Sequence, residues 1–103
     1  MSKDASIVEI RIFTIDKCLT CITLINAFRR LAPMFDLDIR IAKVSPRQKT
    51  AINIRMFPTV IVFLDGVPKL GWEGFASLEP HAIQDEIVME ALEQAQSLPL
   101  LNS

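Results

Sequence analysis

The stretch that decides the fold is Asp16-Lys17-Cys18-Leu19-Thr20-Cys21, which contains both cysteines of the chain. A run of β-branched residues precedes this stretch, and a run with helical periodicity follows it. The first cysteine is therefore expected at a helix N-terminus, where the partial positive charge favours a thiolate over a thiol. The second cysteine lies one helical turn later, close enough to form a disulfide with the first. A pair in this position suits thiol–disulfide chemistry or metal binding.

Composition limits what kind of protein this is. The 103 residues suit one domain with its own hydrophobic core. Half of them are hydrophobic and 22% are charged, which excludes a disordered chain. The net charge of −1 gives no basic surface for nucleic acid, and no apolar run reaches the ~20 residues of a membrane span. We expect a single domain over residues 1–103, with a core over about 7–96, a tail over 97–103, and neither nucleic-acid nor membrane partners.

The N-terminal residues do not resemble a signal peptide, because Glu9 and Arg11 interrupt the apolar stretch and no small-residue cleavage site follows. We therefore expect a cytoplasmic protein. In a reducing compartment a structural disulfide is disfavoured, so a reactive or metal-binding cysteine pair is expected. A closed zinc site needs four ligands, whereas the chain offers two cysteines and the distant His81. No metal site is predicted within one chain, although a metal or iron–sulfur site shared across a dimer stays open.

The residues on either side of the cysteine stretch predict a strand and a helix. Residues 7–15 are rich in β-branched side chains and predict a strand that becomes apolar on both faces near its end. Residues 19–32 follow a helical period, and Pro33 ends or kinks that helix. The predicted buried stripe of the helix consists of Cys21, Ile25, Phe28 and Ala32, widened by Ile22, Leu24 and Leu31.

The middle of the chain predicts two further strands with a short helix between them. Residues 37–44 alternate between apolar and polar side chains, as in a half-buried strand at a sheet edge. Ser45-Pro46 is typical of a helix start, and it predicts a short helix that reaches about Ile54. Residues 58–64 are continuously apolar, which is typical of a strand covered on both faces.

The last part of the chain predicts a hairpin and a helix. Asp65-Gly66 is a hairpin turn signal, and Pro68 restricts the returning strand, residues 67–73, to a sheet edge. A final helix is predicted over about residues 78–96, with Pro80 in its first turn. Its predicted buried stripe consists of Ile83, Ile87, Val88, Ala91, Leu92 and Ala95. The element order is thus β-α-β-α-β-β-α, which implies parallel pairing through crossovers and an antiparallel hairpin at one side.

Two segments taken together resemble the thioredoxin superfamily. They are Cys18-Leu19-Thr20-Cys21 after the first strand and Ile54-Arg55-Met56-Phe57-Pro58-Thr59 before the hairpin. Gly66 and Gly74 also follow Pro58 at the spacing found in thioredoxins. The resemblance covers roughly residues 7–96, in a chain of glutaredoxin size. It implies an α/β, thioredoxin-like fold, in which a four-stranded mixed sheet is flanked by helices.

The resemblance also implies a function, that of a thiol–disulfide oxidoreductase. Cys18 would attack a protein disulfide and Cys21 would resolve the mixed disulfide that results. Phe57, Pro58 and Thr59 would shape the substrate groove, with Pro58 in the cis form. No bound cofactor is implied, because the cysteines carry the electrons, and the reductant that supplies those electrons is not identified.

The sequence departs from the thioredoxin pattern at several places. Lys17 replaces the usual Trp, and Leu19-Thr20 replaces the usual Gly-Pro. Lys17 is a candidate for stabilising a Cys18 thiolate electrostatically. Ile12 stands where a buried acid normally accepts the proton of the resolving thiol, so that proton must leave by water or another group. These departures keep a second hypothesis open, a non-enzymatic binding or scaffold module on the same fold. The glycine pair and acid that hold glutathione in glutaredoxins are absent from residues 71–75, which does not favour glutathione as the partner.

Overall fold

The computed structural model describes residues 6–49 and 51–101. In chain order the strands and helices are β1 (Val8–Thr14), α1 (Leu19–Leu31), β2 (Asp38–Lys43), α2 (Pro46–Lys49), β3 (Thr59–Leu64), β4 (Val67–Trp72) and α3 (Asp85–Leu101). Short 3-10 turns at Ala32–Phe35, Gly74–Ser77 and Pro80–Ala82 connect some of them. This order confirms the β-α-β-α-β-β-α sequence of elements.

The four strands form one mixed sheet in the order β2-β1-β3-β4. β1 pairs parallel with β2 and antiparallel with β3, and β3 and β4 form the antiparallel hairpin. At the end of β1, Thr14 lies opposite Lys43 of β2, and Phe13 lies opposite Thr59 of β3. The loop that leads to Cys18 and the segment that ends at Pro58 therefore emerge at the same end of the sheet.

One face of the sheet forms the core together with α1 and α3. Alternation along a strand sends every second side chain to this face. The buried side chains come from the sheet (Ile10, Ile12, Val60, Val62, Leu64), from α1 (Leu24, Ala27, Phe28, Leu31) and from α3 (Val88, Ala91, Leu92, Ala95, Leu98). The Phe28 ring also meets the Phe75 ring edge to face, with centroids 6.3 Å apart.

The opposite face of the sheet is more polar than the sequence predicted for β3. The Glu9 carboxylate forms ion pairs with the guanidinium groups of Arg11, at 3.0 Å, and Arg40, at 3.6 Å. The Arg11 guanidinium also lies 4.3 Å from the centroid of the Phe63 ring. Ile61 and Phe63 are only half-buried, so the expectation of a strand covered on both faces holds for one face alone.

The structure corrects the length of the second helix. α2 covers only Pro46–Lys49 and does not reach Ile54 as predicted; residue 50 lies outside the described part of the chain. None of the four helical residues is buried. Short helices depend on tertiary packing for their stability, and here the start signal at Ser45-Pro46 has no apolar stripe to extend it.

The last helix is displaced toward the C-terminus relative to the prediction. It begins at Asp85 and not at residue 78, because Pro80 belongs to a separate 3-10 turn and Asp85 places its charge at the positive helix end. It continues to Leu101, past the expected end at Gln96, and Leu98 is buried in the core. Residues 97–101 therefore extend the helix, and Pro99 lies inside it.

The predicted burial is wrong for two residues of the helical stripes. Ile22 of α1 is 53% exposed and Ile87 of α3 is 38% exposed. Each lies one position away from a fully or nearly fully buried residue, Cys21 and Val88 respectively. In each helix, the isoleucine therefore lies at the margin of the buried stripe.

An ion pair connects α1 with the start of α3. Arg30 donates two hydrogen bonds to the Asp85 carboxylate, at 2.8 and 3.1 Å. The hydrogen bonding from Arg30 holds the pKa of the Asp85 carboxyl below its ordinary value. The stabilisation is therefore complete above the ordinary range of an aspartate, about pH 4, and is lost as the pH falls through the lowered pKa.

We expect Asp85→Asn to lower the melting temperature slightly at pH 7 and to have a smaller effect at a pH below the lowered pKa of Asp85, where the wild-type carboxylate is also protonated. Thermal unfolding followed by circular dichroism at both pH values measures the difference. Glu86→Gln is the matched control, because it removes a carboxylate from the same helical turn and leaves the ion pair intact. An Asp85→Asn effect equal at both pH values would contradict this prediction.

Candidate functional site

The two cysteines form a disulfide at the N-terminus of α1, with their Cα atoms 5.2 Å apart. Cys18 is the N-cap residue, and its extended backbone lets the Cys18 Sγ accept a hydrogen bond from the Cys21 amide at 3.0 Å. Cys21 is 1% exposed, whereas Cys18 is half-buried. The stretch therefore leaves one cysteine partly accessible to solvent and keeps the other within the fold.

The turn before Cys18 contains two charged residues. Lys17 has a left-handed backbone conformation, with φ of 57°, which turns the chain from β1 into α1. The Asp16 carboxylate forms an ion pair with the Lys43 ammonium at the end of β2. A hollow of about 230 Å³ lies beside Cys18 on this side of the site. Its lining residues are Thr14, Ile15, Asp16, Lys17, Cys18, Ile22, Ile41 and Lys43.

The second predicted segment lies on the β3 side of the site. The Phe57–Pro58 peptide bond is cis, and Pro58 is fully buried. Thr59 is buried as well, and its hydroxyl donates a hydrogen bond of 2.6 Å to the Met56 carbonyl. Phe57 is half-buried, with the Lys49 ammonium 5.8 Å from its ring centroid. Because Thr59 pairs with Phe13 near the end of β1, this segment emerges at the same end of the sheet as Cys18.

Sequence reasoning missed three features of this region. The Thr20 hydroxyl donates a hydrogen bond of 3.1 Å to the Leu78 carbonyl, which connects the first turn of α1 to the segment before α3. The Asp16–Lys43 ion pair was also not foreseen. The third feature is apolar exposure near the disulfide, where Leu19 is 71% exposed and Ile22 is not in the core. Only the last of these had a signal in the sequence, because Leu19 occupies a place where thioredoxins have glycine.

The interior behind the disulfide is apolar. Ile12 is fully buried in the core, at the place where the thioredoxin pattern has an acid.

Within residues 6–49 and 51–101, no group of three or more His, Cys, Asp or Glu side chains is arranged to hold a metal ion. In the same part of the chain, no helix has the length and hydropathy that crossing a bilayer requires.

The sequence matches no protein-family model and no curated protein. The structure, by contrast, is similar to solved thioredoxins. A mutant thioredoxin from Halobacterium salinarum NRC-1 matches with a TM-score of 0.66 and 21% identity, over 86% of this chain and 74% of that one. Thioredoxin f2 from Chlamydomonas reinhardtii matches with a TM-score of 0.68 and 12% identity, over 91% and 83%.

A third similar structure is thioredoxin O2 from Arabidopsis thaliana in the oxidized state. It has a TM-score of 0.60 and 21% identity, over 88% of this chain and 76% of that one. At these identities the similarity concerns the fold. Together with the four-stranded mixed sheet, it confirms the fold class expected from the sequence: this chain has a thioredoxin-like fold, with a Cys-X-X-Cys disulfide at the start of its first helix.

Proposed function

We propose that the protein is a thiol–disulfide oxidoreductase that acts on disulfides of protein substrates. The observation that carries the proposal is the Cys18–Cys21 disulfide at the N-terminus of α1, with Cys18 the more exposed of the two residues. A helix N-terminus favours the thiolate, which is the nucleophile in disulfide exchange. The thioredoxin-like fold supports the same conclusion at a coarser level.

The proposed reaction begins with the reduced protein. The Cys18 thiolate attacks one sulfur of a substrate disulfide, forms a mixed disulfide, and releases the other substrate sulfur as a thiolate. Cys21 then attacks the Cys18 sulfur, which restores the Cys18–Cys21 bond and releases the second substrate thiol. Two electrons pass to the substrate, and a dithiol or other reductant must return them to the cysteine pair. Cys21 is suited to the resolving step because it is held within the fold beside Cys18.

The segment before β3 is the proposed substrate groove. Its backbone at Phe57 would pair with an extended peptide that carries the target cysteine, as in other cases of strand addition. Pro58 and Thr59 are buried and hold this backbone in place, Thr59 through its hydrogen bond to the Met56 carbonyl. The partly exposed Met56 adds apolar surface for a substrate side chain.

Two departures from the thioredoxin pattern shape the proposed chemistry. The Lys17 ammonium, on the residue before Cys18, adds positive charge that favours the thiolate. Ile12 leaves no carboxylate at the usual position, so the proton of Cys21 leaves through water or another group. We therefore expect resolution to be slower than in an enzyme that has a buried acid as proton acceptor.

Reduction of insulin by a small dithiol, followed as turbidity, tests the proposal. Wild-type protein should shorten the lag before precipitation, and Cys18→Ser should return it to the lag of the dithiol alone. Glu86→Gln serves as the control variant, because Glu86 is exposed on α3 and takes no part in the site. Activity that persists in Cys18→Ser would contradict the proposal, and absence of activity in wild-type protein would favour a binding module. One metal ion per two chains in the reduced protein would also overturn it.

A further inference from the structure

Among the described residues that line the hollow beside Cys18, Asp16 is the only carboxylate. It lies two residues before the attacking cysteine, in the turn that Lys17 forms with its left-handed backbone. A negative charge so close to Cys18 disfavours the Cys18 thiolate. Left alone, Asp16 would therefore oppose the chemistry for which the helix N-terminus prepares this sulfur.

Lys43 counters that charge from a different strand. Its ammonium forms an ion pair with the Asp16 carboxylate, and it lines the same hollow. The parallel pairing of β1 with β2 fixes its position, because Lys43 lies opposite Thr14 and the next amide, of Val44, donates a hydrogen bond of 2.8 Å to the Thr14 carbonyl. The end of β2 is thus attached to the start of the Cys18 turn by the backbone and by charge.

The charged residues of the hollow are Asp16, Lys17 and Lys43, and the first turn of α1 contains no acidic residue. These three charges, together with the N-terminus of α1, contribute to the field at the Cys18 sulfur. With the Asp16–Lys43 pair intact, the two opposite charges largely cancel and Lys17 remains as a net positive charge.

We propose that Lys43 is a positioning residue for disulfide exchange, which keeps Cys18 reactive by neutralising Asp16. This inference rests on the proposed function, in which Cys18 is the attacking thiol. Its consequence is that the reactivity of the thiol at the N-cap of α1 depends on a side chain of the edge strand β2. Both partners are well exposed to solvent, so the effect is moderate and depends on salt.

The test measures the alkylation rate of Cys18 by iodoacetamide at pH 7 in a Cys21→Ser background, where Cys18 is the only thiol. Coulomb's law in water gives a change of about two- to threefold for one charge within about a Debye length. Lys43→Met should lower the rate by this factor and Asp16→Asn should raise it. The double variant should return close to the parent rate, and Lys43→Arg should keep it.

Two further measurements separate charge from structure. The pH profile of alkylation should move to higher pH in Lys43→Met, and 0.5 M NaCl should bring all variants together, whereas a purely structural defect would survive the salt. Changes of the same sign in Lys43→Met and Asp16→Asn, or no change in either, would overturn the inference. Alkylation needs no protein substrate and no reductant, so a negative insulin assay leaves this test unaffected.

Discussion

Cys21→Ser protein, mixed with an oxidised protein substrate, is expected to accumulate a disulfide-linked complex through Cys18. Cys18, the more accessible of the two cysteines, still attacks, and the resolving thiol that would release the product is missing. Cys18→Ser should form such a complex at a rate lower by on the order of tenfold or more, because Cys21 is 1% exposed and a buried thiol reacts slowly. Non-reducing electrophoresis detects the complex, and mass spectrometry of its peptides identifies the linked cysteine.

The two single variants control for each other, since each retains one cysteine and the same disulfide-free fold. The double Cys→Ser variant gives the background of non-covalent association. A complex that forms faster in Cys18→Ser than in Cys21→Ser would reverse the proposed roles of the two cysteines. Equal trapping in both would show that exposure does not decide which sulfur attacks.

Phe28→Ala is expected to lower the free energy of unfolding by about 3–5 kcal/mol. The Phe28 side chain is fully buried between the sheet and α3, and its loss leaves a cavity that neighbouring side chains fill only in part. The substitution also removes the edge-to-face contact with Phe75, and such pairs contribute about 0.5–1.5 kcal/mol beyond area burial. Urea unfolding followed by Trp72 fluorescence and by circular dichroism measures the change.

Leu19→Ala is the matched control on the same helix. Leu19 is 71% exposed, so its truncation should change stability by no more than about 0.5 kcal/mol. If Phe28→Ala loses as little as Leu19→Ala, the packing of α1 on the sheet does not hold the fold together. A large loss in both variants would instead indicate that the start of α1 depends on Leu19.

The parts of the fold with strong periodicity could be predicted from the sequence. The β-branched run before the cysteines became β1, and the alternating run became the edge strand β2. The helical stripe that contains Phe28 became the buried side of α1. In each case one local pattern of apolar residues agrees with the packing that the whole fold requires.

Predictions failed where local signals and packing disagree. The start signal at Ser45-Pro46 is genuine, but it leads to only one turn of helix, because no apolar stripe follows it. The last helix was expected to end at Gln96 with a tail after it, whereas it continues to Leu101 and buries Leu98 in the core. Ile22 is one of several apolar residues in α1, so the sequence pattern included it in the buried stripe. The orientation of the helix against the sheet leaves it exposed.

In the candidate site, too, some features could be predicted from the sequence and others could not. The cysteine pair and the Phe57-Pro58-Thr59 segment have sequence signals, and the structure places both at one end of the sheet. The Asp16–Lys43 pair and the hydrogen bond from Thr20 to Leu78 have none. Each of these contacts joins residues that are far apart in the chain, and pairing of the strands must be known before such contacts can be inferred.

The central place of β1 in the sheet has a consequence for how the protein acquires its site. β1 is the strand that pairs with both β2 and β3, and these pairings close long loops, the longer of them with β3. Closing long loops costs entropy before any contact repays it, so such pairings form late and slowly. During synthesis, the cysteines also emerge well before the residues of β3, a strand that begins at the same end of the sheet. A nascent chain that ends before β3 has two thiols but lacks the proposed substrate groove, and it should exchange disulfides without preference among partners.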